Sequence, residues 1–467
     1  MRRSLRALLA SCFLAPICSA GANDLLETYR KALDQDTTLT AAKFARDASI
    51  EAKPQALSAF LPQLNAQGSG ARSRTRVEQQ NVIIFDPGQP PPTTEDGVNT
   101  FGNDALSYQV TLSQTIWSFE AWRRLKQSDS QVALAEATYR SAQQALILRV
   151  AQAYFGVLSA SDAVRTNTAE RDANERQLLQ AKKRFEVGLA AITDVQEAQA
   201  AYDGSVATLI GAERTLSNAR RALGEITGGY AETAEGLVEE IPLASPNPVS
   251  VDDWLKVARD SNFDLQIAEL NAEVAKKAVG VAYARHYPTL GIDGSYGENQ
   301  NSFQSNPNTA RSSIGISVNV PIFSGGLTQS QVRQAAATRD QSLAQLEGSK
   351  RSIERQTRDA YQGVMSGIAS VKANLQAVKS NQTALESSQV GLQVGTRTEV
   401  DVLNTLRNLY IAQRSYYQSR YDYLLSVLTL KQQAGNLTES DLADIDRLLL
   451  ATPPPAPAAA PAPTPVR

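Results

Sequence analysis

The chain has 467 residues, 46 basic and 48 acidic side chains, a formal net charge of −2, one histidine, two cysteines and 6% aromatic residues. That balance argues against nucleic acid as a partner, and the lone histidine, His286, leaves no histidine-based catalytic or metal-binding set. Few aromatics with long helical periodicity suit the packing of small-residue helices better than a thick globular core.

Residues 1–22 read as a signal peptide. Arg2, Arg3 and Arg6 precede the apolar run 8–17, and Ala20-Gly21-Ala22 is an A-x-A cleavage site. The mature chain is expected to begin at Asn23. Pro16 and Ile17 before Cys18 are not the small residues of a lipoprotein signal, so no acylated N-terminus is expected. Cys12 and Cys18 leave with the leader, so the mature chain has no thiol for a disulfide, a metal or a nucleophile. It carries 43 basic against 48 acidic residues, a net charge of −5. No later run approaches the roughly 20 apolar residues of a membrane-spanning helix.

Residues 24–59 have a helical pattern on Leu25, Leu26, Tyr29, Leu33 and Leu39, kinked or divided at Pro54. FLPQL at 60–64 ends it. HYPTL at 286–290 is its counterpart, and Pro62 and Pro288 set the offset of 226. Extended segments follow in both halves. Leu106, Tyr108, Val110 and Leu112 alternate with small polar residues. So do Leu290, Ile292, Gly294 and Tyr296, and again Ile314, Ile316, Val318 and Val320. The strand opening at Leu64 is weaker in pattern. The paired strands are expected to be separated by polar loops at 78–104, with four prolines, and at 298–311.

One apolar face opposite one small polar face has two readings: a soluble antiparallel sheet, or a membrane barrel with lipid outside and water inside. Three features favour the barrel. The strands are near the ~9–11 residues a membrane strand needs. Phe60, Trp117, Phe119, Trp122, Tyr283, Tyr287 and Phe323 crowd the strand–helix junctions, where an interfacial belt lies. The secretion signal is the third.

Long proline-free helical runs follow at 118–241 and 322–452. In 121–187 alanine equals leucine, isoleucine and valine combined, thirteen each, which lets helices approach closely. Each run is interrupted by a twin turn: FEVGLAAITDV at 185–195 and LQVGTRTEVDV at 392–402, offset 207. Gly188 and Gly395 suit left-handed helix C-termini. Thr193 with Gln196, and Thr398 with Asp401, read as N-caps. The organisation is a first repeat at 23–227 (helix, strand hairpin, long helical hairpin), a Pro/Gly/Glu linker at 228–251, a second repeat at 252–451, and a Pro/Ala tail at 452–467 that is expected to be disordered.

Two repeats supply four strands, too few to enclose a pore. Lipid tolerates no open sheet edge, so the strands must close between subunits. RFEVGLAAITDV at 184–195 and VGTRTEVDVL at 394–403 are long and specific motifs. By them the chain resembles the TolC family of bacterial outer-membrane efflux and secretion channels, over residues 24–449. The resemblance implies a mainly α fold with a membrane β-barrel part: a homotrimer whose twelve-stranded barrel in the outer membrane continues into a long α-helical periplasmic tunnel. It implies no catalysis and no cofactor. The implied partners are a periplasmic adaptor and an inner-membrane transporter, and the cargo is drugs or proteins. A soluble periplasmic adaptor is the alternative, since adaptors also combine long helical hairpins with strands.

The resemblance also implies site residues. Asp401 would line the narrowest point of the closed tunnel. A second family aspartate is replaced by Asn404, and Glu399 restores that charge if its side chain points to the axis. Arg397 and Asp194 would latch neighbouring subunits, next to Thr193; the family's latch tyrosine is replaced by Leu392 or its neighbour Gln393. Gly188, Leu189, Gly395 and Thr396 would meet the adaptor. The plainer readings are a helix cap for Asp401 and an exposed surface charge for Arg397.

Overall fold

The computed structural model describes residues 24–84, 93–229, 236–237, 241–301 and 308–450. The expected leader, the Pro/Ala tail and the four prolines of the first strand loop lie outside these residues. In chain order the first repeat contains α1 (Leu25–Gln35), α2 (Thr37–Ile50), α3 (Ala52–Ser58), β1 (Gln63–Ile84), β2 (Thr93–Ser118), α4 (Phe119–Glu186) and α5 (Ile192–Thr227). Then come β3 (Gly236–Leu237), α6 (Val251–Ser261), α7 (Phe263–Ala284), β4 (Thr289–Asn301) and β5 (Thr309–Asn319). The chain closes with α8 (Leu327–Gln393), α9 (Glu399–Gln433), α10 (Glu439–Asp446) and β6 (Leu449–Leu450). Contacts divide it into two units. Among the described residues, one holds 24–41, those within 141–262, and 352–450; the other holds those within 42–140 and 263–351.

The first helical segment breaks twice. The break at Glu51 precedes Pro54, which sits in the first turn of α3, where a missing N–H costs little. The break at Asp36 was not visible from apolar periodicity. Asp36 is extended (φ −66°, ψ 117°); its N–H closes α1 on the Ala32 carbonyl, and its carboxylate accepts the Leu39 N–H at 2.6 Å. Asn262 plays the same part between α6 and α7 (φ −66°, ψ 124°). The N-caps of α1 and α6 are Asp24 and Ser250. All these pairs obey the offset of 226, so the repeat reaches down to single capping residues.

In the unit that contains the strands, one antiparallel sheet has the order β1-β2-β4-β5. Leu64, Ala66, Leu112 and Val110 share a face with Tyr296, Ile292, Ile314, Ile316 and Val318 through direct cross-strand pairs. That face is bare: Leu64, Ile314 and Ile316 are 70%, 82% and 75% exposed. The opposite face is a ladder of small polar groups, with Ser69–Ser107 at 2.7 Å, Ser295–Ser313 at 2.9 Å and Ser317 donating to Asp293 at 2.6 Å. The strand lengths correct the sequence reading. β4 and β5 have 13 and 11 residues, but β1 and β2 have 22 and 26 and stay paired out to Ile84 and Thr93. The stretch expected to be a loop at 78–104 is therefore mostly strand. Backbone pairing needs no apolar face, and past Arg72–Asp104 (2.6 and 2.8 Å) the side chains are chiefly polar. At the strand–helix junction Phe119 meets Tyr287 at 4.8 Å and Trp122 at 5.8 Å between ring centroids.

In the other unit, Leu146, Val150, Tyr154 and Phe155 of α4 and Leu428 of α9 are fully buried. Gly435 (φ 75°) lets α9 end against the turn after α6: an added Cβ would lie 2.1 Å from the Ser261 carbonyl oxygen. The polar residues after it form α10. Asp441 accepts the Thr438 N–H at 2.8 Å. The linker is tied down as well: Tyr423 Oη donates to the Ala244 carbonyl at 3.0 Å, and β3 pairs with β6.

Candidate functional site at the twin helical turns

Both turns end their first helix in the same way. The Leu189 N–H reaches the Arg184 carbonyl at 2.8 Å and the Gly188 N–H the Phe185 carbonyl at 2.9 Å; Gly188 has φ 76°. In the twin, Thr396 N–H bonds Gly391 at 2.8 Å and Gly395 N–H bonds Leu392 at 3.4 Å; Gly395 has φ 79°. These are Schellman closures, and only glycine enters that left-handed region at little cost.

The second helices start differently. Thr398 caps α9, its Oγ1 accepting the Asp401 N–H at 3.3 Å, while Asp401 Oδ2 accepts the Thr398 N–H at 2.9 Å. The expected cap at Thr193 is not found. Helix α5 begins at Ile192 behind Ala191, and Thr193 is an exposed first-turn residue. Alanine has no side-chain acceptor, so only half the box exists: Asp194 Oδ2 accepts the Ala191 N–H at 3.3 Å. The offset of 207 places Ala191 opposite Thr398, and that alignment would have located the cap.

Helix α9 joins the two hairpins. Val402 and Leu406 pack with Ala173 of α4 and Leu385 of α8, with Leu392 against the same cluster. Leu403 packs on Leu178 and Ala181 of α4 and on Val195 and Ala198 of α5. Leu392 is thus half-buried packing. Glu399 lies one turn before Val402 and Leu403 and shares their buried face. It is 4% exposed, and its Oε1 has no hydrogen-bond partner. Asp401, two positions on, faces the other way with the exposed Asn404. Glu399 is therefore packed within its own chain, on the face away from Asp401 and Asn404.

Electrostatics separate the two acids. The Thr398 backbone and hydroxyl hydrogen bonds, helped by Arg397, hold Asp401 below the usual carboxylate range. Burial pushes Glu399 up; Arg184 opposes the shift, and Asp194 and Glu197 add to it. Arg397 approaches Asp401 at 4.0 Å within its own chain. Its stem lies over Gly391, where an added Cβ would stand 2.6 Å from Arg397 Cγ. The residues sequence reasoning passed over are Gly391 and Arg184, which occupy equivalent positions at offset 207. Gly188, Leu189, Gly395 and Thr396 form exposed turn tips.

A bare-faced four-stranded sheet, its edges unpaired among the described residues, attached in sequence to two glycine-turned helical hairpins whose longer arms run about 100 Å, defines the class of outer-membrane channel subunits. The chain belongs to the outer membrane efflux protein family, whose pattern it matches over residues 28–229 and 254–436. It is 36% identical over 450 residues to the outer membrane protein TolC of Vibrio cholerae, covering 95% of this chain and 98% of that one. It is 29% identical to the alkaline protease secretion protein AprF of Pseudomonas aeruginosa, over 95% and 90% of the two chains. Its fold is similar to that of the outer membrane protein VceC of Vibrio cholerae, with TM-score 0.69, 22% identity and coverage of 88% and 96%.

Proposed function

We propose that this protein is an outer-membrane exit duct, a homotrimer in which three four-stranded sheets close a twelve-stranded barrel and the helices form a periplasmic tunnel. The observation that carries the reading is the sheet itself. Its edge strands β1 and β5 have no further partner strand among the described residues, and its apolar face is exposed. In hydrocarbon every backbone N–H and C=O must be paired, so such a sheet is stable only when closed with copies of itself. A periplasmic adaptor has no need of that face, and the relatives named as outer membrane proteins support the duct.

The relative named for alkaline protease secretion supports passage of proteins, and membership of an efflux family supports passage of small molecules. The energy comes from an inner-membrane transporter linked through an adaptor that engages Gly188, Leu189, Gly395 and Thr396. The closed tip brings three copies of Asp401 around one axis. Arg397 of each subunit faces Asp194 and Thr193 of the next, and opening untwists these helices. The proteins it resembles are named for membrane location, efflux and secretion, not for catalysis. Membrane fractionation with unheated and heated gel electrophoresis tests the reading: a heat-labile trimer in the outer membrane is expected. A soluble, salt-washable monomer would refute it.

A further inference from the structure

We infer that Glu399 makes tip closure depend on proton concentration: its carboxyl group, wedged between the two hairpins of one subunit, drives them apart when it ionises. The inference rests on the tip being the gate and adds a second control to it, inside each subunit. Three observations carry it.

The first is placement. Glu399 opens α9, the helix whose next turn packs on both hairpins through Val402 and Leu403. The second is the missing partner. Oε1 is buried with no hydrogen bond, in a residue 4% exposed. A buried carboxylate without partners is costly, whereas a neutral carboxylic acid is tolerated. The third is the company it keeps. The charged groups acting on it are Arg184 from α4 and Asp194 and Glu197 from α5. On its own side are Asp401, which faces away, and Arg397 in the preceding turn. One cation against two acids does not compensate an ionised Glu399. The twin position is Ile192, which is exposed, so the burial is particular to Glu399.

The sign follows from linkage. Burial raises the Glu399 pKa in the closed tip. The closed state therefore holds a proton that an opened, hydrated tip releases. Closure is favoured at low pH and weakened as pH rises through the raised value. Each such acid changes the open–closed constant of its subunit by up to about tenfold per pH unit.

The test uses the full chain. Its mature part has no thiol, so Ala198→Cys, at a position fully buried beneath the tip, supplies a single reporter. Maleimide labelling is measured against pH with Glu399 and with Glu399→Gln, whose ratio removes the thiol's own ionisation. The ratio is expected to rise about tenfold per pH unit across the transition. Glu399→Ile should behave like Glu399→Gln. Arg184→Gln, which removes the favourable cation, should move the rise to higher pH, and it gives a reading even if the Gln variant misfolds. A ratio flat with pH, or an Arg184→Gln profile unmoved, overturns the inference. Bilayer conductance of the same proteins separates the two levels. Labelling that responds to pH while conductance does not leaves the loosening in place and refutes the tip as the gate.

Discussion

Gly391→Ala is a sharp perturbation because two effects of similar size oppose each other. Alanine is preferred over glycine inside a helix by about 1 kcal/mol. The new methyl group would stand 2.6 Å from Arg397 Cγ and 3.2 Å from both Arg397 Cβ and Thr396 Oγ1. The nearest atom belongs to a flexible side chain, so Arg397 gives way and the helix does not. Forcing it off its rotamer costs about 0.5–1.5 kcal/mol. Global stability should therefore stay within about 1 kcal/mol of the parent, while Arg397 loses its seat beside Asp401. Single-channel conductance in planar bilayers should rise, antibiotic leakage should increase, and the thermal midpoint should barely move. Once Arg397 is replaced by Ser, which should itself raise conductance, Gly391→Ala should add little, because both changes remove the same contact. Parent-like conductance, or a fall in thermal midpoint of many degrees, would refute the reasoning.

Asp401→Asn keeps an acceptor for the Thr398 N–H but removes the charge. Block of the pore by periplasmic-side hexammine-type trivalent cations should weaken strongly, and Asn404→Asp should strengthen it. Thr398→Ala loses the side-chain bond to the Asp401 N–H and should cost about 1 kcal/mol in thermal denaturation. Gly435→Ala combines a positive φ with a clash against the Ser261 backbone oxygen, and should destabilise by more than about 2 kcal/mol on the same assay. Asp446 is raised to about 7 by burial and the neighbouring Asp24 carboxyl group. The folded chain holds a proton there that the unfolded chain releases near pH 4, so stability should fall as pH rises from about 4 to 7. Asp446→Asn should recover about 1 kcal/mol at pH 8, a value reduced for solvent screening at a partly exposed site.

The sequence alone determined the repeat, the helices and both turns, because these rest on local rules. A glycine at a helix C-terminus, a proline in a first turn and a period of two in a strand act through neighbours along the chain. Even the cap position at Ala191 follows from the repeat offset of 207 once it is applied residue by residue, whereas the breaks at Asp36 and Asn262 show their correspondence only in the structure. Tertiary structure alone decided where β1 and β2 stop pairing, since a ladder continues as long as a partner backbone lies beside it, whatever the side chains. It alone decided that α10, β3 and β6 form, since such short elements are held by packing and not by propensity. The surroundings of two neighbouring acids were decided there too. Asp401 and Glu399 are two residues apart and chemically alike. Only the packing of α9 on both hairpins exposes one as a capped carboxylate and buries the other without a partner.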